Sequence, residues 1–209
     1  MSFKIYQVYY DEHTKTHLNE CYIPFDNSCG DASEFEYGVM NQVYKQGFDE
    51  VDYLGVISWK YGDKMNVYKP PYEMGHLDPC RFYNIIWQME GKYDVFHSNP
   101  HSHLQSENPW GGSSQCHHPS LSHQTQEMSE LIPEISPWFT QVHDYTTSCF
   151  CNYWVGNKKM WDLYMKYAEM IYPYAKTTGD MFPYIMERIF PSVLASHQND
   201  LKILPCGIK

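Results

Sequence analysis

The 209-residue chain is 43% hydrophobic and 17% aromatic, which excludes a disordered polymer and supplies enough apolar surface for a core. Its net charge of −10 excludes the broad basic footprint of nonspecific nucleic-acid binding, although a local basic groove stays open. No apolar run approaches the length of a membrane span and Met1–Tyr10 carries no signal-peptide pattern, so the expectation is one cytoplasmic domain over residues 1–209.

In chain order, "FKIYQVYY" alternates and is rich in β-formers, predicting a first strand over 3–10. "CYIPF" reads as a short second strand. Ser33 with Glu36 has the spacing of a capping box, and the helix it opens should run to about Lys45 and stop at Gly47. Residues 51–58 form the next strand, in which Gly55 permits a close neighbour. Beyond an irregular stretch containing Pro70 and Pro71, Asp78 should cap a helix with Pro79 in its first turn; Phe82, Ile85, Ile86 and Met89 recur at helical spacing. "YDVFH" is a strand over 93–97. The long segment at about 98–120 is too long for a simple connection and reads as a functional loop. A helix follows over about 122–132. "TSCFCNYWV" reads as a strand over 147–155 that places Cys149 and Cys151 on one face. Asn157 caps a helix that Pro173 closes. A last helix covers about 181–196, interrupted near Pro191, before a closing strand at "LKILP".

Strands alternating with helices predict an α/β fold: a single, mostly parallel sheet flanked by helices. Ligands of such sheets sit beyond the carboxyl ends of the strands. Three strand ends carry unusual chemistry: Tyr9-Tyr10-Asp11, Ser58-Trp59-Lys60 and Cys151-Asn152-Tyr153. The seven cysteines are odd in number, irregular in spacing and free of Cys-x-x-Cys, which predicts reduced thiols.

Each chemical feature has an ordinary reading beside the functional one. His97, His101, His103, His117, His118 and His123 suggest a metal site by residue type, but their spacing fits no standard ligand pattern, and a polar loop contacting substrate fits them better. There is no Gly-x-Ser-x-Gly elbow, no cysteine-nucleophile signature, no P-loop and no Gly-x-Gly-x-x-Gly. Lys60 and Lys64 follow a strand, where they either face water or hold an anion; spacing alone favours water. Asn152 either pairs with an adjacent loop or hydrogen-bonds sugar hydroxyls. Glu187 and Arg188 are adjacent on a helix, so only one can face a site. Glu187 is then a general base, a sugar contact or half of a surface ion pair.

The series "KIYQVYYDE", "YIPFDNS", "DYLGVISWKYGDK", "YDVFHSNP", "HHPSL", "CNYWVGNKKMWDLY" and "FPYIMERIF" resembles, in order and over most of the chain, small glycosyltransferases of the A-type fold frequent in bacterial capsule clusters and phage genomes. The resemblance implies a nucleotide-sugar donor over the sheet, with base and ribose near Tyr9, Tyr10 and Asp11. Substrate contacts would come from Ser58, Trp59, His118, Asn152 and Arg188, and catalysis from Glu187, Lys60 and Lys64. The acceptor would be a glycan, a lipid-linked sugar, a protein or modified DNA. Many enzymes of this fold hold manganese at an Asp-x-Asp where this chain reads Ser58-Trp59-Lys60. Manganese or magnesium is therefore open rather than implied, with Asp52 and Asp94 as the remaining candidate ligands; Lys60 and Lys64 would supply the positive charge instead. Two rivals stand beside this reading: a noncatalytic sugar- or nucleotide-binding module, and a metal-dependent hydrolase built on the histidine-rich loop.

Overall fold

The computed structural model describes residues 2–67, 78, 80–99, 108–111, 118, 121–144 and 146–206. Pro70, Pro71, Pro79, Cys116, His101, His103, His117, the side chain of His123 and most of the expected 98–120 loop lie outside the described residues.

Six strands form one sheet: β1 (Phe3–Tyr9), β2 (Ile23–Asp26), β3 (Tyr53–Ser58), β4 (Val95–His97), β5 (Trp154–Asn157) and β6 (Ile203–Pro205), in the order β2-β1-β3-β5-β4-β6. The β1–β2, β1–β3 and β4–β6 pairings are parallel, whereas β5 runs antiparallel to both its neighbours. The sheet is thus mostly parallel, as the alternation of strands and helices predicts. The helices are α1 (Glu12–Lys15), α2 (Phe35–Gln46), α3 (Tyr61–Val67), α4 (Arg81–Met89), α5 (Leu121–Leu131), α6 (Lys158–Ala175) and α7 (Phe182–Ser196).

The two-residue period of the strands sorts the core into two layers. Leu54, Val56, Val95 and Trp154 point to the face covered by α2, α6 and α7. Tyr53, Ile57, Phe96 and Val155 point to the other, covered by α3 and α4. At the centre of the first layer Trp154 stacks on Phe190 with centroids 4.8 Å apart, and Trp161 packs against it at 4.6 Å. The Trp161 indole N–H donates to the Leu54 carbonyl at 2.9 Å, which ties α6 to the sheet.

Gly55 faces β5, as its lack of a side chain suggests. A Cβ there would stand 2.4 Å from Val155 Cγ2 and 3.0 Å from the Trp154 carbonyl. Asn157 ends β5 and caps α6, its Oδ1 accepting from Met160 N at 3.1 Å while its Nδ2 donates to Asp94 Oδ1 at 2.8 Å. Trp161, Tyr164 and Ala168 are fully buried, as their spacing predicts.

Several expectations are corrected. Residues 147–153 are not strand: Cys151 and Asn152 have φ of 74° and 52°, which no strand accommodates, and Asp144 Oδ1 accepts from Thr146 N and Thr147 N to start a turn. Cys149 and Cys151 therefore do not share a strand face. The Ser33–Glu36 capping box does not form. Asp31 caps a 3-10 turn over Ala32–Glu34 instead, and α2 starts at Phe35 without a side-chain cap. Pro173 lies inside the last turn of α6 rather than closing it, and α7 runs through Pro191, where Ser192 Oγ donates to the Arg188 carbonyl. Cys21 and Cys80 form a disulfide with Cα atoms 5.8 Å apart, correcting the expectation of reduced thiols for this pair. Their sequence separation of 59 residues hides a proximity that only the fold creates. No helix among the described residues is long and apolar enough to cross a membrane.

Two substitutions test this framework. Gly55→Ala should destabilise the protein by about 1–3 kcal/mol, because β5 cannot withdraw without loosening Trp154; an unchanged urea midpoint would show that β5 gives way freely. Asn157→Ala should cost about 1 kcal/mol or somewhat more through loss of the cap, read in the same titration.

Candidate functional site

β5 runs antiparallel to β3 and β4, so it starts where they end. The residues just before it, 151–153, therefore meet the carboxyl end of β3 at one edge of the sheet, although the sequence suggests a strand end there. A cleft opens at that edge. Its walls are Ser58 at the end of β3, Lys64 on α3, the turn Cys151-Asn152-Tyr153, the start of α2 from Glu34 to Tyr37, and Pro183, Met186 and Glu187 of α7. The last three recur at spacings of three and four, which puts them on one helix face. The enclosed space is about 420 Å³, part of it open to solvent.

Backbone strain concentrates here. Among the described residues, the non-glycine residues at positive φ are Phe35, Cys151 and Asn152, and all three line this cleft. Each such residue costs on the order of 1–3 kcal/mol and persists only where its surroundings hold it. For the 151–152 turn the holding group is Glu187, whose Oε1 accepts the Cys151 N–H across the cleft. Below the turn, Tyr153 OH and Ser58 Oγ share a buried hydrogen bond of 3.0 Å, and the Tyr153 carbonyl accepts from Ser98 N.

Charges of both signs face one another. Lys64 Nζ sits 3.2 Å from Cys151 Sγ and 5.6 Å from the centre of the Tyr153 ring. Burial pulls its pKa down, but Cys151, Glu187 and Glu36 outweigh burial and leave it above the ordinary value, so it is cationic at neutral pH. Burial pushes the Cys151 thiol up to about 12, with Glu187 adding to the rise and Lys64 opposing it; the thiol stays protonated and is no activated nucleophile. Glu36 is raised above the usual carboxylate value by burial first and by Glu187, against the pull of its own backbone N–H, Lys64 and Lys60. Burial, with Glu36, also raises Tyr10. Two polar atoms here are buried without a partner among the described residues: Asn152 Oδ1, on a residue only 9% exposed, and Tyr10 Oη.

The structure therefore brings Ser58, Lys64, Asn152 and Glu187 together, with Lys60 and Tyr10 close enough to act electrostatically on Glu36. The other expected contact residues are placed as follows. Asp11 is occupied as the N-cap of α1, its carboxylate accepting from Thr14 N at 2.7 Å and Thr14 Oγ1 at 2.9 Å. Tyr9 donates to Asp26 Oδ2 at 3.0 Å, away from the cleft walls. Trp59 turns toward His17 and His13, with ring centroids 5.1 and 6.3 Å away, while Lys60 Nζ lies over its ring at 4.9 Å. Arg188 is buried, donating to the carbonyls of Pro109 and Tyr184 at 2.7 Å each, which ties α7 to the 108–111 segment. His118 stacks on Tyr184 with centroids 3.6 Å apart, outside the lining residues.

The missed residues are Glu34, Phe35, Glu36 and Tyr37, together with Cys151 and the α7 partners of Glu187. Their signal was the pair of acids flanking Phe35, which the capping-box spacing masked.

The residues at the expected metal position do not fit a divalent cation. Ser58, Trp59 and Lys60 offer one hydroxyl and an ammonium. Among the described residues no group of three or more His, Cys, Asp or Glu side chains converges as a metal site. Asp52 accepts from Ser2 N, and Asp94 accepts from Asn157 Nδ2 and Lys202 N; both lie at the opposite edge of the sheet, at the starts of β3 and β4. His97 is a core residue: its Nε2 bonds the Thr146 carbonyl at 2.8 Å, and burial lowers its pKa to about 4.

No protein-family model matches the chain, and no curated protein is significantly similar to it. Its fold is similar to the apo structure of WbbM, a bifunctional glycosyltransferase, with a TM-score of 0.58 and 14% sequence identity. That alignment takes in 98% of this chain and 44% of WbbM, so the chain spans less than half the length of the protein it resembles. The likeness is one of fold.

His97 yields a pH test. Its folded pKa lies below its ordinary 6.5, so between pH 6.5 and about 4 the unfolded chain binds a proton that the folded chain refuses. Stability should fall with acidification through that window, by about 1.4 kcal/mol per pH unit at most from this residue. His143, lowered by burial, adds in the same direction. Urea midpoints from pH 7 to 4 should show this slope in the wild type and a shallower one in His97→Gln; identical slopes would refute the assignment.

Proposed function

We propose that the protein transfers a sugar from a nucleotide-sugar donor to an acceptor hydroxyl, with chemistry at the cleft between β3, α2 and α7. The observation that carries this reading is the convergence of Lys64, Asn152 and Glu187 around the strained 151–152 turn, at the sheet edge where a parallel fold presents its ligands. The likeness of fold to a glycosyltransferase supports the choice of reaction.

In this reading the donor diphosphate lies against Lys60 and Lys64. As the anomeric C–O bond breaks, its electron pair moves to the diphosphate, and cations already in place lower the barrier without a metal ion. Asn152 Oδ1 takes a sugar hydroxyl, which gives this buried acceptor its missing donor. Glu187 holds the turn with Oε1 and offers its other oxygen to the sugar. The acceptor is a hydroxyl of a glycan, a lipid-linked sugar or a protein, and the acidic chain disfavours DNA. A noncatalytic binding module would use the same contacts without turnover.

Release of nucleoside diphosphate from a panel of UDP- and GDP-sugars decides between them. Turnover should survive chelation by EDTA, and Lys60→Ala or Lys64→Ala should lower it by about tenfold or more with unfolding midpoints unchanged. Loss of activity on chelation, with both variants at the wild-type rate, would return the leaving-group role to a metal ion. Binding without turnover would favour the binding module.

A further inference from the structure

We propose that Glu36 is the general base that takes the acceptor's proton, and that the junction of Phe35 and Glu36 forms the acceptor side of the cleft for a saccharide. This rests on the glycosyl-transfer reading above and assigns a residue and a substrate class within it.

The cleft has two carboxylates on facing walls, and their surroundings separate their roles. Glu187 is engaged: its Oε1 accepts the Cys151 N–H, and releasing it would free a turn held at two positive φ values. Glu187 is therefore a positioning residue for Asn152. Glu36 accepts only from its own backbone N–H and has no side-chain partner among the described residues. It is half-buried at the start of α2, a helix without a side-chain cap. Of the two facing carboxylates, the one that holds no backbone turn is the one available to take a proton.

Its surroundings suit that task. Burial raises its basicity, and efficient bases have pKa values drawn toward the working pH. Lys60 after β3, Lys64 on α3 and Glu187 on α7 act on it, and it acts in turn on Tyr10 after β1 and on Cys151 and Tyr153 in the turn before β5. The two lysines oppose the rise that burial causes. A diphosphate placed on those lysines would cancel their pull and make Glu36 a stronger base when the donor is bound. The unpartnered hydroxyl of Tyr10 lies within its electrostatic range and can pair with an acceptor oxygen.

Phe35 names the substrate class. It is 44% exposed at the cleft and sits at φ 48°, ψ −138°, a strained conformation for a residue with a side chain. An aromatic face exposed next to carboxylate and amide acceptors matches a sugar, which presents apolar C–H faces and equatorial hydroxyls together. In the balanced step, the acceptor O–H bond breaks and its proton goes to the Glu36 carboxylate. The oxygen's electron pair forms the new bond to the anomeric carbon. The bond from that carbon to the diphosphate breaks, and its electrons leave on the diphosphate oxygen facing Lys60 and Lys64.

The test measures UDP release from UDP-glucose, UDP-galactose and UDP-N-acetylglucosamine, and GDP release from GDP-mannose. Each is assayed in water and with added monosaccharides, from pH 5 to 9. Binding of UDP and GDP is measured by calorimetry in parallel. The wild type should lose rate on the acid side as Glu36 protonates. Glu36→Gln should bind the same nucleoside diphosphate within about twofold, turn over about a hundredfold or more slower, and lose the acid limb. Glu36→Asp, with its carboxylate drawn back by one methylene, should keep the limb and run about tenfold or more slower; it decides the matter if the glutamine variant does not fold. Full wild-type rate in either folded variant, or an acid limb that persists in Glu36→Gln, overturns the assignment of Glu36 alone. A wild type that releases no nucleotide from any donor overturns the glycosyl-transfer reading and the base with it.

Discussion

The reversal of β5 within an otherwise parallel sheet is the constraint on which the site depends. A parallel strand in that place would begin at the far edge, and the turn ahead of it would never meet the carboxyl ends of β1 and β3. Because β5 is antiparallel to β3 and β4, the turn at Cys151 and Asn152 arrives beside Ser58. Gly55 makes the reversal sterically feasible, since a side chain there would collide with Val155. Asn157 closes the strand at its other end and starts α6 at once. One short strand thus carries the site at its start and a helix cap at its end, and Trp154 within it is the hub of the larger core layer.

The second constraint is electrostatic. Three acids, Glu34, Glu36 and Glu187, share the cleft with Lys64, and Glu34 is drawn off by Tyr172 and Lys176. What remains is a pair of carboxylates set against Lys64 and the nearby Lys60, one carboxylate tied to the backbone and the other free. A diphosphate set against those lysines would remove their pull on Glu36 and favour its protonated form. Strain at Phe35, Cys151 and Asn152 fits the same picture: the chain bends away from its relaxed conformations where it turns polar groups inward.

Much of the fold was legible in the residues. Alternation in "FKIYQVYY" and "YLGVIS", the helical spacing of Trp161, Tyr164 and Ala168, and the cap at Asn157 each rest on local physics that the tertiary structure preserves. The errors have a common cause. "TSCFCNYWV" has the composition of a strand, but the Asp144 side chain turns the chain at its start and the tertiary contact from Glu187 to the Cys151 N–H holds the turn before β5. The Ser33–Glu36 spacing satisfied a capping rule, yet Asp31 upstream took the exposed amide first. The Cys21–Cys80 pair is nonlocal and left no trace in spacing. Lys64, Ser58, Asn152 and Glu187, singled out in the sequence, share the cleft. For Arg188 and Asp11, charge alone does not reveal that the side chain also serves a carbonyl or a helix end.

The central claim is that this cleft holds a nucleotide sugar by its diphosphate and sugar hydroxyls. A crystal structure of the protein with a nucleoside diphosphate sugar tests it most directly. The account predicts diphosphate oxygens within hydrogen-bond distance, about 3 Å, of Lys64 Nζ and facing Lys60, with a sugar hydroxyl donating to Asn152 Oδ1. A nucleotide seated elsewhere, or one whose phosphates are bridged by a metal ion with both lysines turned to solvent, would contradict it.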